Sequence, residues 1–172
     1  MTPPSPYFFR EVFTMWKLIE DDRFPKRKNP RLPQFDYSQP NYYFVTICTW
    51  EKACILGAPA HLSPYGSVAQ NCLPEIEAHF QGVILDKWVV MPNHIHAIII
   101  LPGGINLSTV IGMYKSAVTR QIHKTDPSLR VWQNSFHDHI IRNSSDYERI
   151  WSYIDGNPQK WEADCFYNPN HP

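Results

Sequence analysis

Apolar positions along the chain fall into two spacings, and the elements follow from them. "NYYFVTICTW" (Asn41–Trp50) is a run of β-branched and aromatic residues and predicts a first strand. "HLSPYGSVAQNCLPEIEAHF" reads as a turn and then a helix from about Gly66 to Phe80, bent or divided at Pro74. "GVILDKWVVMP" and "HIHAIIIL" are separated only by Pro92-Asn93, a turn pair, and predict a β-hairpin. In "INLSTVIGMYKSAVTRQIHK", Leu107, Ile111, Tyr114, Val118 and Ile122 form one helical stripe, with Asn106 or Ser108 as its cap. "VWQNSFHDHIIRN" predicts a fourth strand. "SSDYERIWSYIDGNP" predicts a last helix, opened by a Ser/Asp cap and stopped at Gly156-Asn157-Pro158. This order predicts an α+β fold of ferredoxin-like type, an antiparallel sheet with helices packed on one face.

Before Asn41 the pattern dissolves. Residues 1–40 hold seven of the 16 prolines and the basic cluster Lys26, Arg27, Lys28 and Arg31, so they read as an irregular arm with at most a short helix near Arg10–Glu20. The expected division is therefore an arm over 1–40, a catalytic domain over 41–165 and a tail over 166–172. At 172 residues the chain can bury a real core. Lys+Arg and Asp+Glu balance at 16 each, so a nucleic-acid partner depends on local basic patches rather than on net charge. The four cysteines (Cys48, Cys54, Cys72, Cys165) contain no C-x-x-C pair, which argues against a zinc knuckle or a disulfide framework. The N-terminal residues lack a secretory pattern, and no apolar run approaches the ~20 residues of a membrane span. A reducing, cytoplasmic setting without membrane contact is the expectation.

The chemistry concentrates in the hairpin. On a strand His94 and His96 point to one face, and Ile95, Ala97 and Ile99 to the other. Two imidazoles so placed either close on one metal ion, with positions left open for water or substrate oxygen, or stand as two hydrogen-bonded surface histidines. A second H-x-H, His137-Asp138-His139, lies on the predicted fourth strand and reads either as part of a composite site or as a polar strand edge. A phosphate ligand would favour magnesium or manganese, imidazole accepts manganese and zinc as well, and a metal gripping phosphate needs a nucleophile beside it. Tyr114 sits on the apolar stripe and reads as core, while Tyr147 opens the last helix. Tyr153 and Asn157 are four apart near that helix's end and share a face, although Pro158 is expected to push Asn157 out of helical geometry. A phenol with pKa near ~10 needs a proton acceptor or a cation before it can attack.

These blocks together resemble the HUH single-strand transposases with one catalytic tyrosine, and within them the REP-associated tyrosine transposases. "RLPQFDYSQPNYYFVTICT", "WVVMPNHIHAIIIL", "YKSAVTRQI", "VWQNSFHDHIIRN" and "YERIWSYIDGNPQKW" resemble the family's blocks in the same order, from Arg31 to Trp161. The resemblance implies His94 and His96 as metal ligands, Asn157 at the third ligand's position, Tyr153 as nucleophile, and Mg2+ or Mn2+ as cofactor. It departs from the family pattern at Asn157, where insertion-sequence relatives commonly carry Gln, and at Asn134, where relatives often carry Arg. It further implies a transposase that cleaves and joins single-stranded DNA at palindromic repeat hairpins through a 5′-phosphotyrosine, as a homodimer or a monomer. His139 and Arg142 match its "H-x-I-R" block and read either as substrate-facing support or as strand-edge structure. Lys26, Arg27, Lys28, Arg31, Lys115, Arg120 and Lys124 are the expected DNA contacts, with ordinary solvation as their alternative. Tyr42, Trp50 and Trp88 either stack bases or pack in the fold. Two other functions use the same residues: a hairpin-binding protein that does not cleave, and a metal-dependent nuclease that uses water.

Overall fold

The structure, a computed structural model, describes residues 35–167. The expected helix near Arg10–Glu20 and the cluster Lys26–Arg31 lie outside them. Four long strands form one antiparallel sheet: β1 (Asn41–Cys48), β4 (Ile84–Met91), β5 (His94–Leu101) and β6 (His137–Ile141), in the order β4-β5-β1-β6. Between β1 and β4 come a small hairpin, β2 (Gly57–Ala58) with β3 (His61–Leu62), and two helices, α1 (Pro64–Asn71) and α2 (Glu75–His79). The long helix α3 (Leu107–Ile122) joins β5 to β6, and α4 (Ser144–Gly156) follows β6. The strand order is that of the ferredoxin-like type, and the α+β class agrees with expectation.

One feature of the covering differs. Helices lie on both faces of the sheet. Tyr43, Val45 and Ile47 of β1 and Ile95, Ala97 and Ile99 of β5 pack against Val110, Ile111, Tyr114 and Val118 of α3, with Ala69 and Ile76 from α1 and α2. The opposite face carries Phe44 and Cys48 of β1, Met91 and Ile98, and meets Ile150 and Ile154 of α4. Strands β1 and β5 are therefore buried on both sides, which is why neither alternates apolar with polar residues. His94 and His96 sit on the α4 face, where this pattern would otherwise place core side chains.

Local signals account for the element ends. Ser63 accepts a bond from the Gly66 amide (3.0 Å) with Pro64 next to it, so α1 starts two residues before the expected Gly66. Pro74 does divide the helical segment, standing between α1 and α2. Asn106 caps α3 through the Ser108 amide (2.8 Å). The fourth strand is shorter than its apolar pattern: only His137–Ile141 pair with β1, while Trp132 makes an isolated bridge to Thr49. The reason is Lys115, whose Nζ donates to the carbonyls of Gln133 (2.6 Å), Asn134 (3.2 Å) and Ser135 (3.3 Å) and gathers them into a loop no ladder can use.

The last helix is capped by Asn143, not by the Ser/Asp that follows it. Asn143 Oδ1 accepts from the Asp146 amide at 2.8 Å, and the Asp146 carboxylate turns instead to His139 Nε2 (2.7 Å) and to Arg149. Burying Ile150 and Ile154 then sets the helix rotation that presents Tyr153 to the sheet. Asn143→Ala leaves that first amide unbonded; it is expected to lower unfolding free energy by about 1 kcal/mol in urea titration, with an unchanged m-value.

Candidate functional site

The two histidines are placed by the register of three strands. His94 lies opposite Cys48 and Met91, and His96 opposite Thr46 and Val89. Their ring centroids are 4.4 Å apart, and both residues are fully buried. Phe166 lies against the His94 ring at 4.6 Å, with Trp161 at 6.0 Å, while Phe44 lies 5.1 Å from the His96 ring.

Asn93, read from sequence only as a turn residue, decides how His94 is presented. Its Nδ2 donates to the carbonyls of Lys52 (3.0 Å) and Phe166 (2.9 Å). That fixes the carboxamide's orientation, so Oδ1 faces His94 Nδ1 at 2.8 Å and can only accept from it. Nδ1 therefore carries the proton and Nε2 the lone pair, the tautomer a metal ligand needs. Thr46 Oγ1 holds His96 Nδ1 at 2.8 Å, leaving its Nε2 toward Tyr153. The loop behind Asn93 is strained to reach it. Glu51 and Lys52 hold left-handed angles (φ 53° and 56°), each costing on the order of 1 kcal/mol, and the bond from Asn93 to the Lys52 carbonyl helps offset that.

From the facing helix comes Tyr153. Its hydroxyl lies 3.3 Å from His96 Nε2 and donates to Asp164 Oδ2 at 3.1 Å. Asn157 stays helical (φ −61°, ψ −44°) although Pro158 follows, so the expected distortion is absent and it keeps the i, i+4 relation to Tyr153. The chain then tightens into a 3-10 helix, Asn157–Ala163, which folds Asp164 back over the site. Asn157 Nδ2 donates to Asp164 Oδ2 at 3.1 Å. His94, His96 and Asp164 each offer a ligand atom within 4.8 Å of the others. Among the described residues, His94 Nε2 and Asn157 Oδ1 are buried without a hydrogen-bond partner. An unpartnered buried polar atom costs about 1–3 kcal/mol, and a bare imidazole nitrogen in a residue that clusters with His96 and Asp164 fits a divalent cation well.

Burial opposes charge on both rings and on the phenol. Burial pushes His94 down to about 3, with nearby Lys52 adding to the effect. Burial likewise holds His96 well below its usual range, helped by His94. The Tyr153 phenol is pushed far up, first by burial and then by the carboxylate of Asp164. Both rings are thus neutral, and the phenol keeps its proton until a cation or an acceptor offsets that environment.

The remaining expected residues are dispersed. His139 lies on the α4 face opposite Phe44, bonded to Asp146, and His137 stands opposite Thr46, one strand beyond His96. Tyr114 is core, its hydroxyl bonded to the Ala69 carbonyl at 2.9 Å. Arg142, Arg120 and Lys124 are exposed. Arg120 lines an open groove of about 490 Å³ together with Lys115, His123, Arg130 and Asn134, on the side of α3 and away from Tyr153. Lys115 is occupied by its three carbonyls. Arg130, which no sequence signal marked, stacks 3.2 Å above the Trp50 ring, while Trp88 packs against the α3-side core and Tyr42 is exposed beside Tyr147. Among the described residues no helix is long and apolar enough to cross a membrane.

Comparison with known proteins places this geometry in context. The family described as "Transposase IS200 like" matches residues 39–157. An uncharacterised protein of Haemophilus influenzae is 30% identical over 167 residues, covering 82% of this chain and 93% of its own. A REP-associated tyrosine transposase of Escherichia coli is 33% identical over 76 residues, 44% of each chain. Among solved structures, a REP-associated tyrosine transposase bound to a REP hairpin shares the fold (TM-score 0.61, 23% identity, 76% of this chain and 74% of that one).

The depressed histidines make stability depend on pH. Both stay neutral in the folded protein, whereas in the unfolded chain they take up protons below their ordinary 6.5. Their contribution is therefore complete above that value and is lost as pH falls toward about 3. In chelator, the urea midpoint is expected to drop between pH 7.5 and pH 5, and to drop less when both histidines are replaced by Leu.

Proposed function

Because the chain belongs to the IS200-like transposase family and is a DNA transposase, we propose that it cuts and rejoins single-stranded DNA through a covalent 5′-phosphotyrosine at Tyr153. The observation that carries this reading is the Tyr153 hydroxyl standing 3.3 Å from His96 Nε2 within one chain. His94 and His96, with Asn157 Oδ1, would hold a divalent ion, Mg2+ or Mn2+. When bound, that ion supplies positive charge to a phosphoryl oxygen and to the phenol beside it.

Everything else falls to the chain's own residues. Asn93 and Thr46 keep the imidazoles aimed inward. Helix α4 holds the phenol oxygen in position for in-line attack, a matter of orientation rather than of intrinsic reactivity. The tyrosine oxygen bonds to phosphorus as the P–O3′ bond breaks. One strand stays on the protein by its 5′-phosphate, and the other leaves with a 3′-OH. A second 3′-OH reverses the step, so one phosphodiester replaces another and no nucleotide is consumed. Phe166 and Trp161 cover the His94 ring, and a phosphate reaches the site as these two side chains turn aside while Tyr153 stays in place.

The DNA partner is a hairpin with a single-stranded flank. Support comes from the similar solved structure, a REP-associated tyrosine transposase bound to a REP hairpin. Phosphate contacts fall to Arg142, to Lys124, to the Arg120–Arg130 groove, and to Lys26, Arg27, Lys28 and Arg31 of the arm. Lys115 serves them indirectly by shaping the 133–135 loop. Since phenol and rings meet inside one chain, a monomer suffices for cleavage.

With Mn2+ and a labelled hairpin oligonucleotide carrying a single-stranded flank, the protein is expected to form a species that survives denaturing electrophoresis, and Tyr153→Phe to form none. An adduct that persists in Tyr153→Phe would remove that residue from the role. Free 5′-phosphate ends without any adduct would assign the attack to water instead.

A further inference from the structure

We propose that Asp164 is an anionic ligand of the cation held by His94 and His96, an assignment that rests on the metal-dependent reading above. No motif marks this residue, and the blocks that carry the family resemblance end at Trp161. Geometry brings it in. Its carboxylate oxygen and one nitrogen from each histidine lie within 4.8 Å of one another. Three donors spread evenly around one ion at about 2.0–2.2 Å stand no more than about 3.8 Å apart, so the triangle closes when each donor moves inward by about 0.6 Å or less.

The carboxylate is held for this purpose from several sides. Its Oδ1 accepts from the Phe166 amide at 2.7 Å, and its Oδ2 receives the Tyr153 hydroxyl and Asn157 Nδ2, each at 3.1 Å. The Phe166 carbonyl is in turn held by Asn93, the residue that orients His94. One carboxamide thus braces His94 directly and Asp164 across two residues. The site's other donors, two imidazoles and an amide oxygen, are all neutral. Around a divalent ion in a pocket walled off by Phe166 and Trp161 they leave the whole double charge uncompensated, and a carboxylate halves it. It also supplies the hard oxygen that magnesium and manganese prefer. Asn157 then has two functions: Nδ2 orients the carboxylate, and Oδ1, unpartnered, remains for the ion.

The test is Mn2+ binding to the full-length, metal-free protein without DNA, measured by calorimetry at pH 7.5, with circular dichroism as the check on folding. Asp164→Asn keeps the size and loses the charge; it is expected to weaken Mn2+ by about a hundredfold. Asp164→Ser, which can still accept from the Phe166 amide, carries the same expectation should the first variant not fold. Wild-type affinity in Asp164→Asn, alongside lost affinity in His94→Ala, would overturn the proposal while leaving the histidine site standing. No Mn2+ binding by the wild type, or equal binding by His94→Ala, would overturn both.

Discussion

A single carboxamide, that of Asn93, ties the site together. It bonds the Lys52 carbonyl, the Phe166 carbonyl and the His94 ring, and its own backbone carbonyl accepts from the Thr49 amide at 2.9 Å. The hairpin turn, the strained loop after β1 and the segment after α4 therefore meet at one side chain. Because both Nδ2 hydrogens are committed to carbonyls, the His94 tautomer is not free to change. A ring fixed in this way would lose little entropy on taking up an ion, which is the physical advantage of a site arranged beforehand.

The second constraint is dryness. Two imidazoles lie on a sheet face that otherwise carries Phe44, Cys48, Met91 and Ile98, under a helix that contributes Ile150 and Ile154. Such surroundings oppose the protonated histidine and the ionised phenol alike. What they strengthen is the interaction of any charge that does enter, since the low local dielectric screens it poorly. Phosphoryl transfer asks for little beyond placement and charge neutralisation, and a dry pocket with a phenol, two imidazoles and a carboxylate at its walls is suited to both. Placement depends on α4, whose register over the sheet is set by Ile150, Ile154 and the Asn143 cap.

Features governed by local periodicity were legible in the sequence. The facing histidines follow from the two-residue repeat of a strand, the Tyr153–Asn157 pair from helical spacing, and the α3 core stripe from the same rule. Features that arise where distant segments meet were not. Asp164 reaches the site only through the fold-back of a 3-10 helix, and Asn93 acts through carbonyls more than 40 and 70 positions away. Lys115 has the composition of a phosphate contact, and only the tertiary course of the 133–135 loop shows where its ammonium goes. The two-sided covering of the sheet was partly visible in β1, whose "YYFVTIC" shows no alternation, a pattern that single-face packing would have produced.

Central to the account is a cation bound jointly by His94 and His96 opposite Tyr153. Anomalous scattering from crystals soaked in Mn2+ tests it most directly. The account predicts one strong peak within coordination distance of both Nε2 atoms, beside the phenol oxygen. A soaked crystal with manganese elsewhere and none between those rings would contradict it.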